Sequence, residues 1–363
     1  MQRLYGAVQR LYRQAMKAAV LHASDDLRYE EYPTPEIQAG EVLVKVKATG
    51  ICGSDIPRVL GQGAHFYPIV LGHEFAGEVV EVGADVGALK AGDRVTAAPL
   101  LPCLQCDDCQ QGHYAQCKFY SFIGSRVQGS FAEYVKLPAR NAVKFEQTVS
   151  FEQGAFFEPA TVALHGLNCA DYRGGADVAI LGGGTIGLFT AQWAKIFGAK
   201  RVVVFDIEPE RLVLAKKLGA DATINTRDQD FMAQVKALTD NKGFGFVYET
   251  AGVDVTMKLA FELAANKARV CFIGTPTKDL VFTPKLFENL NRKEFTLTGS
   301  WMSYSAPFPG KEWALTAHYF ATGALQFDES LIFEKLPLSD IKQGFDMYKT
   351  PGLVKGKILL INE

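Results

Sequence analysis

Four cysteines stand close together in the sequence, at a spacing that favours metal binding: Cys103, Cys106, Cys109 and Cys117. Thiolates at C-x2-C-x2-C-x7-C spacing can converge on one tetrahedral zinc ion, and four protein ligands leave no position open for a substrate. The pattern therefore predicts a closed, structural zinc site. The chain has seven cysteines in all, an odd number that does not suit a disulfide framework, so we expect a reducing, cytoplasmic compartment.

A second group of metal-ligand side chains is dispersed along the chain. Cys52, His73 and Glu158 each stand next to a glycine or a proline. Three protein ligands with one open position would form a catalytic zinc site. Their spacing alone does not connect them. Cys52 can also be interpreted as a small buried apolar residue, His73 as a core histidine, and Glu158 as an acid at the start of a helix. At the level of the residues both interpretations stay open.

A glycine-rich loop indicates dinucleotide binding. Gly182, Gly184 and Gly187 form a G-x-G-x-x-G motif that directly follows an apolar strand and opens an apolar helix. The first glycine permits a tight turn, the second lets the backbone approach a pyrophosphate, and the third lets the helix pack on the strand. Thr185 and Ile186 begin that helix, where N–H groups would face the anion. A glycine-rich turn without a ligand is the alternative interpretation.

Further residues at predicted strand ends extend this cofactor site. Asp206 stands nineteen residues after Gly187 and can accept both ribose hydroxyls while repelling a 2′-phosphate, which favours NAD over NADP. Arg211 either contacts the adenosine ribose or is a solvated helix residue. Cofactor edges also rest on the carboxyl ends of the later strands, and ordinary strand-end turns are the alternative there. The candidates at those ends are Thr250, Ile273 and Gly274.

The elements that must position these residues follow two patterns. From residue 17 to about 143, short β-type runs are separated by glycine and proline, which predicts a β-rich, mostly antiparallel domain. From Asp177, strands and helices alternate, which predicts a doubly wound parallel sheet with helices on both faces. The chain is therefore expected to be a two-domain α/β protein. We expect one domain at 17–167 and 304–363, the other at 168–303, and the active site in the cleft between them.

The composition excludes several functions. The chain has 38 basic and 40 acidic residues and no basic run, so we expect neither a nucleic-acid nor a membrane partner. Its longest apolar stretch, near residues 178–186, is interrupted by glycines and is far shorter than the ~20 residues of a membrane span. The extra N-terminal segment, residues 1–16, is either a mitochondrial-type presequence or sequence upstream of a start at Met16, and we favour the second interpretation.

Together these motifs resemble the zinc-dependent medium-chain dehydrogenase/reductase family. A cysteine followed by glycine, a Gly-His-Glu box, the four-cysteine lobe and the later nucleotide loop occur in the family's order, within residues 16–361. The resemblance implies a GroES-like catalytic domain, a Rossmann domain that binds NAD, and a homodimer joined through the Rossmann sheets. It also implies that Cys52, His73 and Glu158 hold a catalytic zinc ion, with Glu74 near it. Each subunit would then bind two zinc ions, one catalytic and one structural.

Other stretches resemble the polyol-phosphate dehydrogenases of that family: residues 55–59, 63–68, 122–126 and 299–304. They imply that the small-molecule substrate is a polyol phosphate, which is oxidised to a ketose phosphate. Where sorbitol- and alcohol-oxidising relatives have a histidine that relays the proton, this chain has Pro57. Ser54 is then a candidate to take the alcohol proton, directly or through water, and His65 to pass it on. His65 is equally well interpreted as a surface histidine.

Basic residues in loops that are expected to face the cleft are candidates for binding the substrate phosphate: Arg58, Arg126, Arg292 and Lys293. Arginine matches phosphate oxygens with two parallel hydrogen bonds. Each of these residues is also interpretable as an ordinary surface charge. Two rival functions stay open, namely a free-polyol or threonine-type dehydrogenase with the same metal and cofactor, and a non-catalytic protein that binds zinc and nucleotide.

Overall fold

The computed structural model describes residues 15–61 and 63–362, so most of the predicted N-terminal extra segment lies outside the described residues. The strands are, in chain order, β1 (Met16–Ala23), β2 (Asp26–Tyr32), β3 (Glu41–Gly50), β4 (Ile69–Val70), β5 (Glu74–Val82), β6 (Arg94–Ala97), β7 (Leu100–Leu101), β8 (Ser121–Phe122), β9 (Tyr134–Pro138), β10 (Ala142–Lys144), β11 (Asp177–Leu181), β12 (Arg201–Asp206), β13 (Ala222–Asn225), β14 (Phe244–Glu249), β15 (Ala264–Phe272), β16 (Thr296–Gly299), β17 (Ile332–Pro337) and β18 (Lys357–Ile361). The α-helices span Ile56–Leu60, Asp107–Gln110, Phe151–Gly154, Phe157–Cys169, Thr185–Ile196, Pro209–Lys217, Phe231–Thr239, Asp254–Leu263, Pro284–Lys293, Lys311–Ala321 and Ile341–Met347. Among the described residues, no helix is long and apolar enough to cross a membrane.

The described residues form two compact units. The first comprises residues 15–158, 305–317 and 332–362, and the second comprises 159–304 and 318–331. The second unit is therefore larger than the domain predicted at 168–303. Hydrogen bonds tie the added segments, residues 159–167 and 318–331, to this unit. The Trp193 indole N–H donates to the carbonyl of Ala160 at 2.9 Å, and the Gln326 N–H donates to the Gln192 side chain at 2.7 Å.

The first unit is built mainly from antiparallel strands. Its largest sheet has the order β10-β6-β5-β3-β18-β17, with β9 paired to β3, and smaller sheets have the orders β2-β1-β4 and β7-β8. In β3, Val42, Val44 and Val46 are fully buried and are separated by less buried residues such as Lys45, the two-residue period of a strand with one face on a core. The last strand, β18, pairs with β3, so the C-terminus belongs to this unit.

The second unit contains a six-stranded sheet of order β13-β12-β11-β14-β15-β16, in which every pair is parallel. β11 and β12 are buried along almost their whole length, as expected for strands covered on both faces. The strand order reverses between β11 and β14, where the carboxyl ends of parallel strands form a ligand-binding crevice. The prediction of a β-rich domain together with a doubly wound parallel sheet is therefore confirmed.

Candidate metal centres and cofactor site

Three potential metal ligands lie together at the ends of two neighbouring strands of the large sheet in the first unit. Cys52 follows β3, and His73 and Glu74 stand at the start of β5. Because Gly50 of β3 is paired with Glu74, the end of β3 lies beside the start of β5. One ligand atom from each of the three side chains lies within 4.8 Å of the other two. A thiolate, an imidazole and a carboxylate are a donor set that suits zinc.

Asp55, which was not among the predicted site residues, lies beside His73. It is fully buried, accepts a hydrogen bond from the Cys52 N–H at 3.1 Å, and has Oδ1 3.6 Å from His73 Nδ1. Neither Asp55 Oδ1 nor His73 Nδ1 has a hydrogen-bond partner among the described residues. A carboxylate beside one ring nitrogen fixes the imidazole and leaves the other nitrogen for a metal ion. These buried polar atoms therefore fit a zinc site.

A buried lysine from the C-terminal strand holds Glu74. Lys357 is 8% exposed, and its Nζ donates to Glu74 Oε2 at 2.5 Å and to the carbonyl of Ile51 at 3.4 Å. Burial alone would lower the pKa of Lys357, but Glu74 and Cys52 raise it above its ordinary value, so the side chain stays a cation. A Cβ on Gly50 would come within 2.8 Å of Glu74 Oε2, so only glycine leaves room for the ion pair.

Glu158, the third predicted zinc ligand, stands near this group but outside it. It lies in the first turn of the helix Phe157–Cys169. Withdrawal from water and repulsion by Glu74 raise the pKa of Glu158 to about 7, while His73 acts in the opposite direction. Among the described residues, Glu74 is the carboxylate that has a ligand atom within 4.8 Å of both Cys52 and His73. The assignment of Glu158 as a ligand stays a prediction.

The four clustered cysteines converge on one point. One ligand atom from each of Cys103, Cys106, Cys109 and Cys117 lies within 4.8 Å of the others. The N–H groups of Gln105 and Cys106 donate to Cys103 Sγ at 3.5 and 3.4 Å. Backbone N–H groups lower the pKa of Cys103 and of Cys106, the latter to about 6, and so favour the thiolates that zinc binds. Four sulfurs fit a closed, structural site.

Ser54 is held beside Cys52 by an arginine. Its Oγ donates to Cys52 Sγ at 3.4 Å, and Arg58 Nη1 donates to Ser54 Oγ at 3.0 Å and to the Ser54 carbonyl at 2.5 Å. The same Nη1 lies 3.7 Å from Asp55 Oδ1. The hydroxyl of Ser54 therefore adjoins a potential metal ligand, where it can take part in proton transfer.

Two arginines influence the pKa of His65. Partial burial and the cations Arg126 and Arg58 lower the pKa of His65, so each of the two arginines acts on the imidazole. The guanidinium carbon of Arg126 lies 4.6 Å from the ring centre of Tyr120, and its Nη2 lies 3.4 Å from the Tyr120 hydroxyl. Stacking on the ring leaves the edge of the Arg126 guanidinium available to an anion.

The other two candidate phosphate ligands make contacts inside the second unit. Arg292 Nη2 lies 3.0 Å from Glu288 Oε1, one turn earlier in the helix Pro284–Lys293. Lys293 Nζ donates to the carbonyls of Phe261 and Glu262 at 3.1 and 2.9 Å, which caps the C-terminus of the helix Asp254–Leu263. Both cations therefore have partners within this unit, and their assignment as phosphate ligands stays a prediction.

The glycine motif forms the turn between β11 and the helix that begins with Thr185 and Ile186. Gly182 has φ +105°, which a side chain rarely adopts, and a Cβ on Gly187 would overlap the Gly182 carbonyl oxygen. A Cβ on Gly184 would meet nothing within 4 Å, so this part of the turn is open. The turn therefore has the tight backbone, the close helix packing and the accessible N-terminus that pyrophosphate binding requires.

Asp206 ends β12 and lies against this turn. It is 8% exposed and accepts hydrogen bonds from the N–H groups of Gly183, Ile207 and Glu208 at 2.6, 2.7 and 2.8 Å. Arg211 Nη1 lies 3.7 Å from Asp206 Oδ2. The carboxylate is thus fixed at the strand position where a ribose binds in sheets of this order.

The later strand ends lie against the same turn. Thr250 Oγ1 donates to the carbonyls of Leu181 and Gly182 at 3.0 and 3.2 Å. The N–H groups of Ile273 and Gly274 donate to the carbonyl at the end of β14, at 2.8 and 3.0 Å. The structure therefore brings the predicted cofactor residues together at the carboxyl ends of β11, β12, β14 and β15.

Comparison with known proteins agrees with both sites. Residues 38–147 match the alcohol dehydrogenase GroES-like domain family, and residues 185–317 match the zinc-binding dehydrogenase family. The chain is 40% identical over 348 residues to galactitol 1-phosphate 5-dehydrogenase of Escherichia coli (strain K12), which covers 95% of this chain and 100% of that protein. The crystal structure of galactitol-1-phosphate dehydrogenase from Escherichia coli superposes with a TM-score of 0.90 over 96% of this chain and all of that one, at 40% identity.

Other relatives show how the substrate varies. Sorbitol dehydrogenase of Bacillus subtilis (strain 168) is 36% identical over 271 residues, or 73% of this chain and 77% of that protein. D-arabitol-phosphate dehydrogenase of Enterococcus avium is 33% identical over 326 residues, or 89% of this chain and 90% of that protein. Zinc and NAD are the cofactors expected from these relationships and from the two sites. The chain belongs to the zinc-dependent medium-chain dehydrogenase/reductase family and is an alcohol or polyol dehydrogenase.

Proposed function

We propose that the protein oxidises a secondary alcohol of a polyol phosphate with NAD, as in the conversion of galactitol 1-phosphate to tagatose 6-phosphate. The observation that most supports this is the position of Arg58, whose Nη1 donates to Ser54 Oγ while Ser54 Oγ donates to Cys52 Sγ. Positive charge thus adjoins the metal-ligand group. The relatives that act on galactitol 1-phosphate and D-arabitol phosphate support a phosphorylated substrate.

The chain's own residues prepare the alcohol for oxidation. Cys52 and His73 would hold zinc together with a carboxylate from Glu74 or Glu158, and Asp55 orients His73. Zinc at this group supplies a Lewis acid that lowers the pKa of an alcohol hydroxyl. Ser54 Oγ would act as a relay, accepting the alcohol proton while its own hydroxyl proton passes to His65 or to water. NAD bound at the glycine turn supplies the hydride acceptor.

The two arginines would bind the phosphate in different ways. Nη1 of Arg58 already donates to the carbonyl and the hydroxyl of Ser54, so the other N–H groups of the Arg58 guanidinium are the ones available to an anion. Arg126 is fixed by Tyr120 and presents its guanidinium edge. A phosphate with close to two negative charges at neutral pH gains most from such charge-assisted hydrogen bonds.

Steady-state kinetics test the substrate. We expect kcat/KM for galactitol 1-phosphate to exceed that for galactitol and sorbitol by at least roughly a hundredfold, since two charged hydrogen bonds contribute about 1.5–3 kcal/mol each. Equal values for phosphorylated and free polyols would favour the free-polyol alternative. Turnover of L-threonine alone would favour the threonine-type alternative.

We further propose a homodimer joined through the edge of the parallel sheet. β16 is the edge strand; its Leu297 is 38% exposed, and Trp301, two residues beyond it, is 52% exposed. An open edge strand has unpaired N–H and C=O groups that a second copy can cover. Sedimentation velocity should show a dimer for the wild type and a monomer for Leu297→Lys, and a monomeric wild type would contradict this arrangement.

A cytoplasmic location is also part of this proposal. Among the described residues, which include all seven cysteines, no disulfide is formed, and four of the cysteines converge as candidate metal ligands. Such a group keeps its thiolates only in a reducing compartment. Cell fractionation tests the location directly.

A further inference from the structure

Glu249 has a buried carboxylate that the chemistry above does not use. It ends β14 and is fully buried. Its Oε1 accepts hydrogen bonds from the N–H groups of Ala251 and Gly252, both at 2.9 Å, and from Thr256 Oγ1 at 2.7 Å. Its Oε2 accepts a longer bond from the Gly252 N–H at 3.2 Å. Within residues 15–61 and 63–362, no lysine or arginine forms an ion pair with it.

The pattern of contacts suits the charged form of Glu249. Burial raises the pKa of Glu249 above its ordinary value, and the hydroxyl of Thr256 and the N–H groups of Gly252 and Ala251 oppose part of that rise. All of these partners donate, and an ionised carboxylate only accepts, whereas a protonated one would need an acceptor. The fold therefore contains a negative charge that is satisfied by hydrogen bonds and is not neutralised by a cation.

Glu249 also fixes the turns at the carboxyl ends of β14 and β15. Its carbonyl accepts from the N–H groups of Ile273 and Gly274 at 2.8 and 3.0 Å. A Cβ on Gly274 would come within 2.7 Å of Glu249 Oε2, and one on Gly252 would come within 2.6 Å of the Thr275 carbonyl oxygen. The two turns therefore pack directly on each other and on the buried carboxylate.

The strand order indicates which half of the cofactor lies over these turns. Asp206 at the end of β12 marks the ribose of the adenosine half, and the turn after β11 marks the pyrophosphate. A dinucleotide that crosses the switch point continues over β14 and β15, so its nicotinamide half lies at the end where Glu249 is buried.

We propose that Glu249 is a positioning residue for the nicotinamide half of the cofactor and that its negative charge favours the oxidised form. The oxidised nicotinamide ring is a cation and the reduced ring is neutral, so the carboxylate attracts only the oxidised ring. Its hydrogen bonds meanwhile set the backbone on which either form rests. The inference rests on dinucleotide binding and is independent of which alcohol is oxidised.

Direct binding of NAD+ and of NADH, measured by calorimetry on the zinc-loaded protein, tests this proposal. Glu249→Gln keeps an oxygen at the Oε1 position for the three short hydrogen bonds and removes the charge. We expect the affinity for NAD+ to fall roughly tenfold more than the affinity for NADH, as for one charge acting across several ångströms of protein. Equal losses for both forms would show a purely structural carboxylate and overturn the role of the charge.

Two matched variants complete the test. Thr256→Val removes one donor without changing the charge, so both affinities should weaken by the same factor, and unchanged affinities would overturn the positioning role. Glu262→Gln removes an exposed carboxylate from the same unit and should change neither affinity. If Glu249→Gln does not fold, Thr256→Val decides the positioning role alone. A wild type that binds neither nucleotide would overturn the cofactor assignment itself.

Discussion

Buried charges around Cys52 and His73 determine how the metal ligands are held. Asp55 stands three residues after Cys52, so a local signal for it existed, although its contact with His73 forms only in the folded chain. The Glu74–Lys357 pair joins residues 283 positions apart, and no sequence spacing predicts it. The place of Glu74 beside Cys52 and His73 likewise depends on strand pairing, and the assignment of Glu158 as a zinc ligand stays a prediction.

Lys357→Met should destabilise the protein by about 3–5 kcal/mol, because it leaves Glu74 as a buried charge without its partner. The free energy of unfolding from urea denaturation measures this loss. Lys335→Met on the neighbouring strand β17 is the control, since Lys335 is 38% exposed and lies 3.7 Å from Glu152. The control should lose no more than about 1 kcal/mol, and similar losses in both variants would contradict a structural role for the buried pair.

Arg126→Gln should raise KM for the polyol phosphate by roughly ten- to a hundredfold, as expected for one lost hydrogen bond to a charged group. Activity with free galactitol should not change, because that substrate has no phosphate. Arg140→Gln, at an exposed site, is the control. Loss of activity with both substrates to the same extent would show that Arg126 acts on the fold and not on the phosphate.

At the scale of elements, the type of each strand or helix was easier to predict than the pairing of the strands. The β-rich half and the strand–helix alternation were readable because both are patterns of neighbouring residues. The sequence did not predict that β3 pairs with both β5 and β18, or in which register, because residues that pair across a sheet leave no local pattern. That pairing is what brings Cys52, Glu74 and Lys357 together.

Cys106→Ser should reduce the zinc content from about two ions per chain to about one, because three thiolates no longer complete a closed tetrahedral site. Elemental analysis of the purified protein measures the content, and Cys169→Ser, which lies outside both ligand groups, is the control. NADH binding should persist in Cys106→Ser, because the glycine turn belongs to the other unit. An unchanged zinc content would contradict the structural site.

At the scale of the whole molecule, the two kinds of candidate site lie in different units. The first unit contains both cysteine-based ligand groups and Arg58 next to Ser54, and the second contains the glycine turn with Asp206 and Glu249. The sequence motifs assigned the metal ligands and the glycine-rich turn to different domains, since each motif is local. The substrate was less predictable, because the candidate phosphate ligands Arg58 and Arg126 stand in separate segments whose positions are set only by folding.

The most direct measurement is NADH formation from galactitol 1-phosphate by the zinc-loaded protein, compared with protein stripped by a chelator and then given zinc again. We expect turnover with the loaded protein, its loss after stripping and its return with zinc. Turnover that is unaffected by the removal of zinc, or no turnover of any polyol phosphate by the fully loaded protein, would contradict it.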